Sequence, residues 1–155
     1  MRDSSETRYA TPRLRRAATR LLAQETGGGP ATSESLAAAS ARLLDKLSQG
    51  LAQVIGPAGV QSIFLRTVRL RKSEFPFLDE RIVPSASRGS LAEPLHACLQ
   101  EHEPEVIREV SVALFATFAG LLANVIGDRL TWSLLQQIWS DTLLPRTELL
   151  QETEQ

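Results

Sequence analysis

The chain has 155 residues, 43% of them hydrophobic and 23% charged, with 17 basic and 18 acidic side chains. A chain of this length can bury a sizeable core in one domain without a metal or a disulfide to hold it. The net charge of −1 argues against a generally basic nucleic-acid binder. The single cysteine, Cys98, excludes an internal disulfide framework and a cysteine-rich zinc site.

Leucine and alanine together number 42, whereas valine and isoleucine together number 14. Because leucine and alanine favour helices and β-branched residues favour strands, the composition predicts an all-α protein. The polar residues 1–10 lack the apolar core of a secretory signal, so we expect a cytoplasmic location.

The first predicted helix lies near the N-terminus. Thr11 can cap it, Pro12 suits its first turn, and apolar residues recur behind them at helical spacing. Its remaining surface is basic, with arginine at four positions: Arg13, Arg15, Arg16 and Arg20. The Gly-Gly-Gly-Pro sequence at 27–30 is typical of a flexible linker. We therefore predict that residues 1–32 form a flexible basic segment with a short amphipathic helix, outside a compact domain of residues 33–145.

The compact domain is predicted to begin with two helices joined at a Gly-Pro pair. The first runs from Ser33, a candidate N-cap, to Gly56, and Pro57 starts the second, which ends near Glu74. A long connection follows, and we expect its hydrophobic start at 75–78 to pack back on the core.

Three more helices are predicted after this connection. Ser90 and Glu93 have the spacing of a capping box ahead of a short helix. The longest apolar stretch forms a helix over 105–126, a glycine ends it, and Asp128 caps the last helix. An acidic tail, residues 146–155, follows the domain.

The helix over 105–126 is predicted to be the buried centre of the fold. No charged residue lies between Glu109 and Asp128. This uncharged stretch is at the lower limit of the length that a membrane span needs, and polar residues within it lower its hydrophobicity. A helix that is apolar nearly all round is typical of a core. We therefore predict an all-α, compact bundle of about five helices without a membrane span. No internal repeat is apparent along the chain.

Residue types that commonly carry catalysis or bind metals are few. His96 and His102 are six residues apart, which is not the four-residue spacing of a helical metal pair. Cys98 shares the apolar face of its helix and is predicted to be a core residue. The sequence has no glycine-rich phosphate loop and no serine nucleophile elbow. We therefore predict a non-enzymatic protein without a cofactor or a metal.

A basic docking face is predicted on the second domain helix, at positions three residues apart: Arg66, Arg69 and Lys72. Ala52 and Gly56 resemble the helix-turn-helix pattern of bacterial repressors, which implies DNA binding through residues 57–72. However, Pro57 stands where that pattern has a small apolar residue, and the early recognition positions offer one polar side chain, Gln61. The favoured interpretation is a solvated basic face or a docking face for acidic partners, and DNA binding is kept as an alternative.

Five aromatic residues form the predicted partner-binding or ligand-binding site: Phe64, Phe75, Phe77, Trp132 and Trp139. The two tryptophans are seven residues apart, so they share a helix face. Aromatic side chains dominate both cores and binding surfaces, so burial of all five is the competing interpretation. Ala116 and Gly120, four residues apart, predict close helix packing or a dimer face.

Two stretches, 59–78 and 126–139, look like small, uncharacterised helical modules of bacterial proteins, some of them found beside signalling domains. Packing and capping residues carry this resemblance, which implies regulatory or adaptor work and assigns no functional residue.

The expected function is that of a non-catalytic interaction or regulatory module. It would bind a protein partner, or a second copy of itself as a homodimer, through exposed apolar residues around Trp132, Trp139 and 75–78, rimmed by Arg66 and Arg69. One alternative is a sensor that encloses a small hydrophobic ligand between helices. The other is DNA binding through residues 57–72.

Overall fold

The structure is a computed structural model, and it describes residues 11–28, 32–78 and 92–139. Helices account for 85% of this part of the chain, and no strand occurs in it. The prediction of an all-α helical bundle is therefore confirmed. The five helices follow one another as α1 Pro12–Thr26, α2 Ser33–Arg71, α3 Ala92–Leu99, α4 Pro104–Ile126 and α5 Asp128–Ile138.

Helix α1 is part of the core. Thr11 caps it as predicted, because its Oγ1 accepts a hydrogen bond from the Leu14 amide at 3.3 Å. Its apolar stripe packs against α4 and α2 and is fully buried: Leu14, Ala17, Ala18, Leu21 and Leu22. The prediction that residues 1–32 form a segment outside the domain is therefore wrong for α1. The glycines that follow it permit a turn that returns the chain to the bundle, since Gly27 adopts the left-handed conformation with φ 67°.

An ion-pair cluster joins the end of α1 to α2. The Glu25 carboxylate accepts hydrogen bonds from Arg42 Nε, at 3.1 Å, and from Lys46 Nζ. The Arg42 Nη2 group also donates to the Glu25 carbonyl oxygen at 2.8 Å, which satisfies one of the last carbonyl groups of α1. Glu25 is 10% exposed, so these contacts are less screened by water than an open surface pair.

Helix α2 bends at the predicted Gly-Pro pair. Gly56 has φ 85° and ψ 157°, a conformation essentially restricted to glycine, and Pro57 begins the next helical stretch. The bend divides α2 into a first arm, residues 33–55, and a second arm, residues 57–71. Its N-cap is Thr32 rather than Ser33, since the Thr32 hydroxyl accepts from the Ser35 amide at 3.1 Å.

The turn after α2 packs on the core, which confirms the prediction for 75–78. Leu78 is buried, and Phe75 and Phe77 are partly buried against the core. Cys98 on α3 also packs partly against the core, with its Sγ 3.9 Å from the Phe77 carbonyl oxygen. The predicted capping residue Ser90 lies outside the described residues.

Helix α4 is the buried central helix. Thirteen consecutive or near-consecutive positions are buried along it: Ile107, Val110, Ser111, Ala113, Leu114, Phe115, Ala116, Thr117, Phe118, Ala119, Gly120, Leu121 and Leu122. By length and composition it is apolar enough to cross a bilayer, with a mean hydropathy of 1.8, and 67% of that stretch is buried inside the fold. A core helix passes the same test, so length and composition are weak evidence for a membrane span.

Helix α5 follows α4 after a single glycine. Gly127, with φ 96° and ψ 154°, occupies the N-cap position, and Asp128 is the first helical residue rather than the predicted cap. The Asp128 carboxylate still lies at the positive end of the helix dipole. The predicted domain end at 145 and the predicted acidic tail at 146–155 lie outside the described residues.

The first arm of α2 and helix α4 run side by side in the same direction. The Ser33 hydroxyl donates to the His102 carbonyl oxygen at 2.6 Å, and seven residues further along the arm the Ser40 and Ser111 hydroxyls are hydrogen-bonded. We call this line of contact the seam. The first arm ends at Gly56 and α4 ends at Gly127, so these two glycine corners lie at the same end of the bundle.

Candidate functional site

Three large aliphatic side chains are exposed in the part of the chain that the structure describes. Val125 is 71% exposed, Val54 is 51% exposed and Leu130 is 47% exposed. Val54 lies two residues before Gly56, Val125 lies two residues before Gly127, and Leu130 lies three residues after Gly127. They therefore belong to the end of the bundle that holds the glycine corners, and we call these three residues the apolar end.

The surroundings of the apolar end are polar and carry both signs of charge. Gln53 and Asn124, each adjacent to an exposed valine, are exposed amides. Asp128 and Arg129 are exposed neighbours in the first turn of α5. The apolar end is thus a small hydrophobic patch with a polar rim, which is the usual composition of a protein-binding surface.

Two of the five predicted aromatic site residues are core residues. Phe64 is 2% exposed and Trp139 is 5% exposed, so the expectation that they are exposed to a protein partner is wrong for both, whereas a role in ligand binding stays a prediction. The Phe64 ring lies 6.1 Å from Phe118, and the Trp139 ring lies 5.8 Å from Phe115, centroid to centroid. These tilted pairs are typical of aromatic residues that fill a core.

The other three predicted aromatic residues are partly buried and make contacts within the chain. The Phe77 ring lies 3.9 Å from the His102 imidazole, and the Phe75 ring lies 6.1 Å from Phe77. The Arg13 guanidinium lies over the Trp132 ring, 4.5 Å from its centroid. The five aromatic residues therefore do not form one surface, because the fold distributes them among separate contacts.

The predicted basic face is exposed on the second arm of α2, at all three positions: Arg66, Arg69 and Lys72. Arg71, in the same cluster of the sequence, faces the other way and is fully buried, with its Nη1 3.2 Å from the Glu74 carboxylate. The fold thus separates one structural arginine from three surface cations. Whether this face binds an acidic partner or DNA stays a prediction.

The predicted small-residue pair, Ala116 and Gly120, is buried inside the subunit. Its role is therefore close helix packing, and the alternative of a dimer face is wrong for these two residues. A second close approach was not predicted from the sequence. A Cβ atom placed on Gly50 would lie 2.5 Å from Ile138 Cδ1, so this glycine lets α5 approach the first arm of α2.

No cluster of three or more histidine, cysteine, aspartate or glutamate side chains with metal-binding geometry occurs within the described ranges. His96 Nε2 lies 3.5 Å from the Glu34 carboxylate, across α3 and α2. A groove of about 430 Å³ runs along α1 and α4, and its lining is largely charged: Arg15, Glu105, Val106, Arg108, Glu109 and Val112. Such a lining does not match the apolar pocket that a hydrophobic ligand requires.

The apolar end was missed because both valines continue the apolar stripes of their helices. One signal in the sequence could have identified it: Leu-Ala-Gln-Val-Ile-Gly at 51–56 and Leu-Ala-Asn-Val-Ile-Gly at 122–127 place a valine at the same position before a helix-ending glycine. No protein-family model, curated protein or solved structure matches this chain.

Proposed function

We propose that this protein is a non-catalytic helical interaction module that associates with a second copy of itself through the apolar end. The observation that carries the proposal is the 71% exposure of Val125 at the same end of the bundle as the exposed Val54 and Leu130, in a fold whose other large apolar side chains are buried or partly buried within the described ranges. Exposed apolar patches with polar rims are typical of protein-binding sites.

The charges at the apolar end favour a second copy as the occupant. Asp128 and Arg129 are adjacent and exposed, so a surface that contains both is electrostatically complementary to itself. When two copies meet around a two-fold axis, each can offer its carboxylate to the guanidinium of the other. The patch comprises three side chains, and small interfaces bind weakly, so we expect a dissociation constant above roughly 1 µM.

The proposal is tested by sedimentation velocity over a wide range of protein concentration. The wild-type protein should pass from monomer to dimer as its concentration rises, whereas a Val54→Gln/Val125→Gln variant should remain a monomer. Ser62→Gln/Ser133→Gln is the matched control, because both serines are exposed helical positions outside the apolar end. This control should dimerise like the wild-type protein.

A wild-type protein that stays monomeric at every concentration would contradict the proposal, and a dimer unaffected by the valine substitutions would assign association to another surface. Native mass spectrometry of the same sample separates this function from the sensor alternative. Excess mass on each subunit would show a retained small molecule and favour the sensor.

A further inference from the structure

The two long parallel helices share a sequence pattern at a constant spacing of 71 residues. Residues 34–56 and 105–127 are identical at eight of 23 positions: Glu34/Glu105, Ser40/Ser111, Leu43/Leu114, Leu51/Leu122, Ala52/Ala123, Val54/Val125, Ile55/Ile126 and Gly56/Gly127. This pattern is not apparent from motifs read along the chain and becomes visible when the two helices are aligned. The identities are concentrated near the helix ends and are easily overlooked without the aligned helices.

The backbone repeats with the same spacing. The first arm of α2, residues 33–55, and helix α4, Pro104–Ile126, have equal length and end at equivalent glycines. Gly56 has φ 85° and ψ 157°, and Gly127 has φ 96° and ψ 154°, so the chain turns through the same unusual conformation at both glycines. A second helix follows each corner directly, as the second arm of α2 or as α5.

Burial repeats at the positions of the aromatic contacts. Phe64 packs against Phe118, and the equivalent positions, Leu135 and Leu47, are both fully buried. Trp139 packs against Phe115, and their equivalents are also buried: Val68 and Leu44. Helix α1 packs mainly on α4 and helix α3 packs mainly on α2, so each half places its leading helix against the long helix of the other half.

The seam brings equivalent residues into contact with each other. The Ser40 and Ser111 hydroxyls are hydrogen-bonded and both residues are fully buried. Two equivalent residues can touch in this way only where they lie beside a two-fold axis, and parallel helices place that axis along the seam. Buried positions on both helices alternate three and four residues apart, as in a parallel coiled coil. Pairing the equivalent positions of the two helices gives four layers: Leu36/Ile107, Ser40/Ser111, Leu43/Leu114 and Leu47/Phe118.

We infer that the chain consists of two duplicated units related by a two-fold axis along the seam. The seam surface of each unit fits a second copy of the same unit, so one chain contains the interface of a symmetric dimer. The first unit comprises α1 and α2, and the second comprises α3, α4 and α5. This inference is independent of the proposed function, because it concerns the buried seam and not the exposed apolar end.

An exchange of residues across the axis tests this inference in the full chain. Leu47→Phe adds volume to a filled layer and Phe118→Leu removes volume from it, so each should lower Tm by roughly 3–10 °C. The double variant Leu47→Phe/Phe118→Leu keeps the volume of the layer and moves the ring to the equivalent position. It should recover more than half of the summed loss.

The matched control combines Phe118→Leu with Leu36→Phe, three layers away, where the two losses should simply add. Equal, additive losses in both double variants would overturn the inference. A second measurement uses disulfide formation and does not depend on repacking of the core. In a Cys98→Ala background, Ser40→Cys/Ser111→Cys should oxidise within the monomer, whereas Ser40→Cys/Leu114→Cys, shifted by one layer, should not. The opposite order of reactivity would place the axis elsewhere and would also overturn the inference.

Discussion

Gly50 on the first arm of α2 faces Ile138 on α5 so closely that a methyl group at Gly50 would lie 2.5 Å from Ile138 Cδ1 and 2.6 Å from Cγ1. Glycine is a poor helix former, so a glycine in mid-helix lowers the stability of the helix. Here that loss is offset because α5 packs into the space that a side chain would occupy. The contact between these two residues fixes how near α5 can lie to the helix that contains Gly50.

The Gly50→Ala substitution tests this contact in two backgrounds. In the wild-type protein it should lower the free energy of unfolding by about 1 kcal/mol, because overpacking outweighs the gain in helix propensity. In an Ile138→Ala background it should raise that free energy by about 0.5–1 kcal/mol, since the methyl group then has space. Urea denaturation of the four proteins gives the comparison, and the same effect in both backgrounds would contradict the close approach.

Leu21 tests whether α1 belongs to the core. Leu21 is 1% exposed, so Leu21→Ala should lower the free energy of unfolding by about 2–5 kcal/mol. Ala23→Ser, at an exposed position of the same helix, should change it by less than about 0.5 kcal/mol. The measurement is chemical denaturation followed by circular dichroism. A loss below about 1 kcal/mol for Leu21→Ala would mean that α1 is not docked in solution.

The two tryptophans should differ in their effect on stability. Trp139 is buried against Phe115, so Trp139→Ala should cost about 3–5 kcal/mol of unfolding free energy. Trp132 is half-buried and covered on one side by Arg13, so Trp132→Ala should cost less. The Arg13/Trp132 pair should show a coupling energy of roughly 0.5–2 kcal/mol in a double-mutant cycle. Equal losses of unfolding free energy for the two substitutions would contradict the difference in burial between the two tryptophans.

The helices and their ends were largely predictable. The Gly56-Pro57 pair marked the bend in α2, and Thr11 with Pro12 marked the start of α1, because backbone chemistry at these residue types is local. The central position of α4 followed from its uncharged, nearly all-round apolar surface. The capping assignments at Thr32 and Gly127 differed by one residue from the predicted caps, Ser33 and Asp128, since neighbouring residues compete for the same role.

The candidate site was much less predictable. A hydrophobic stripe shows which face of a helix is apolar. It does not show whether the stripe extends beyond the neighbouring helices that cover it. Val54 and Leu51 lie on one apolar stripe, yet Leu51 is fully buried and Val54 is half exposed. Phe64 and Trp139 were plausible binding residues in the sequence and became core residues, because α4 lies against both.

That this chain forms helices, where glycine and proline end them and which faces are apolar can all be predicted from the amino-acid sequence, because each of these properties depends on nearby residues. The packing of the helices was needed to show that α1 joins the core and that Ser40 contacts Ser111 at the seam. The same packing leaves Val54 and Val125 exposed near the glycine corners. Those outcomes depend on which helices lie side by side, and residues 71 positions apart become neighbours only when the whole bundle has packed.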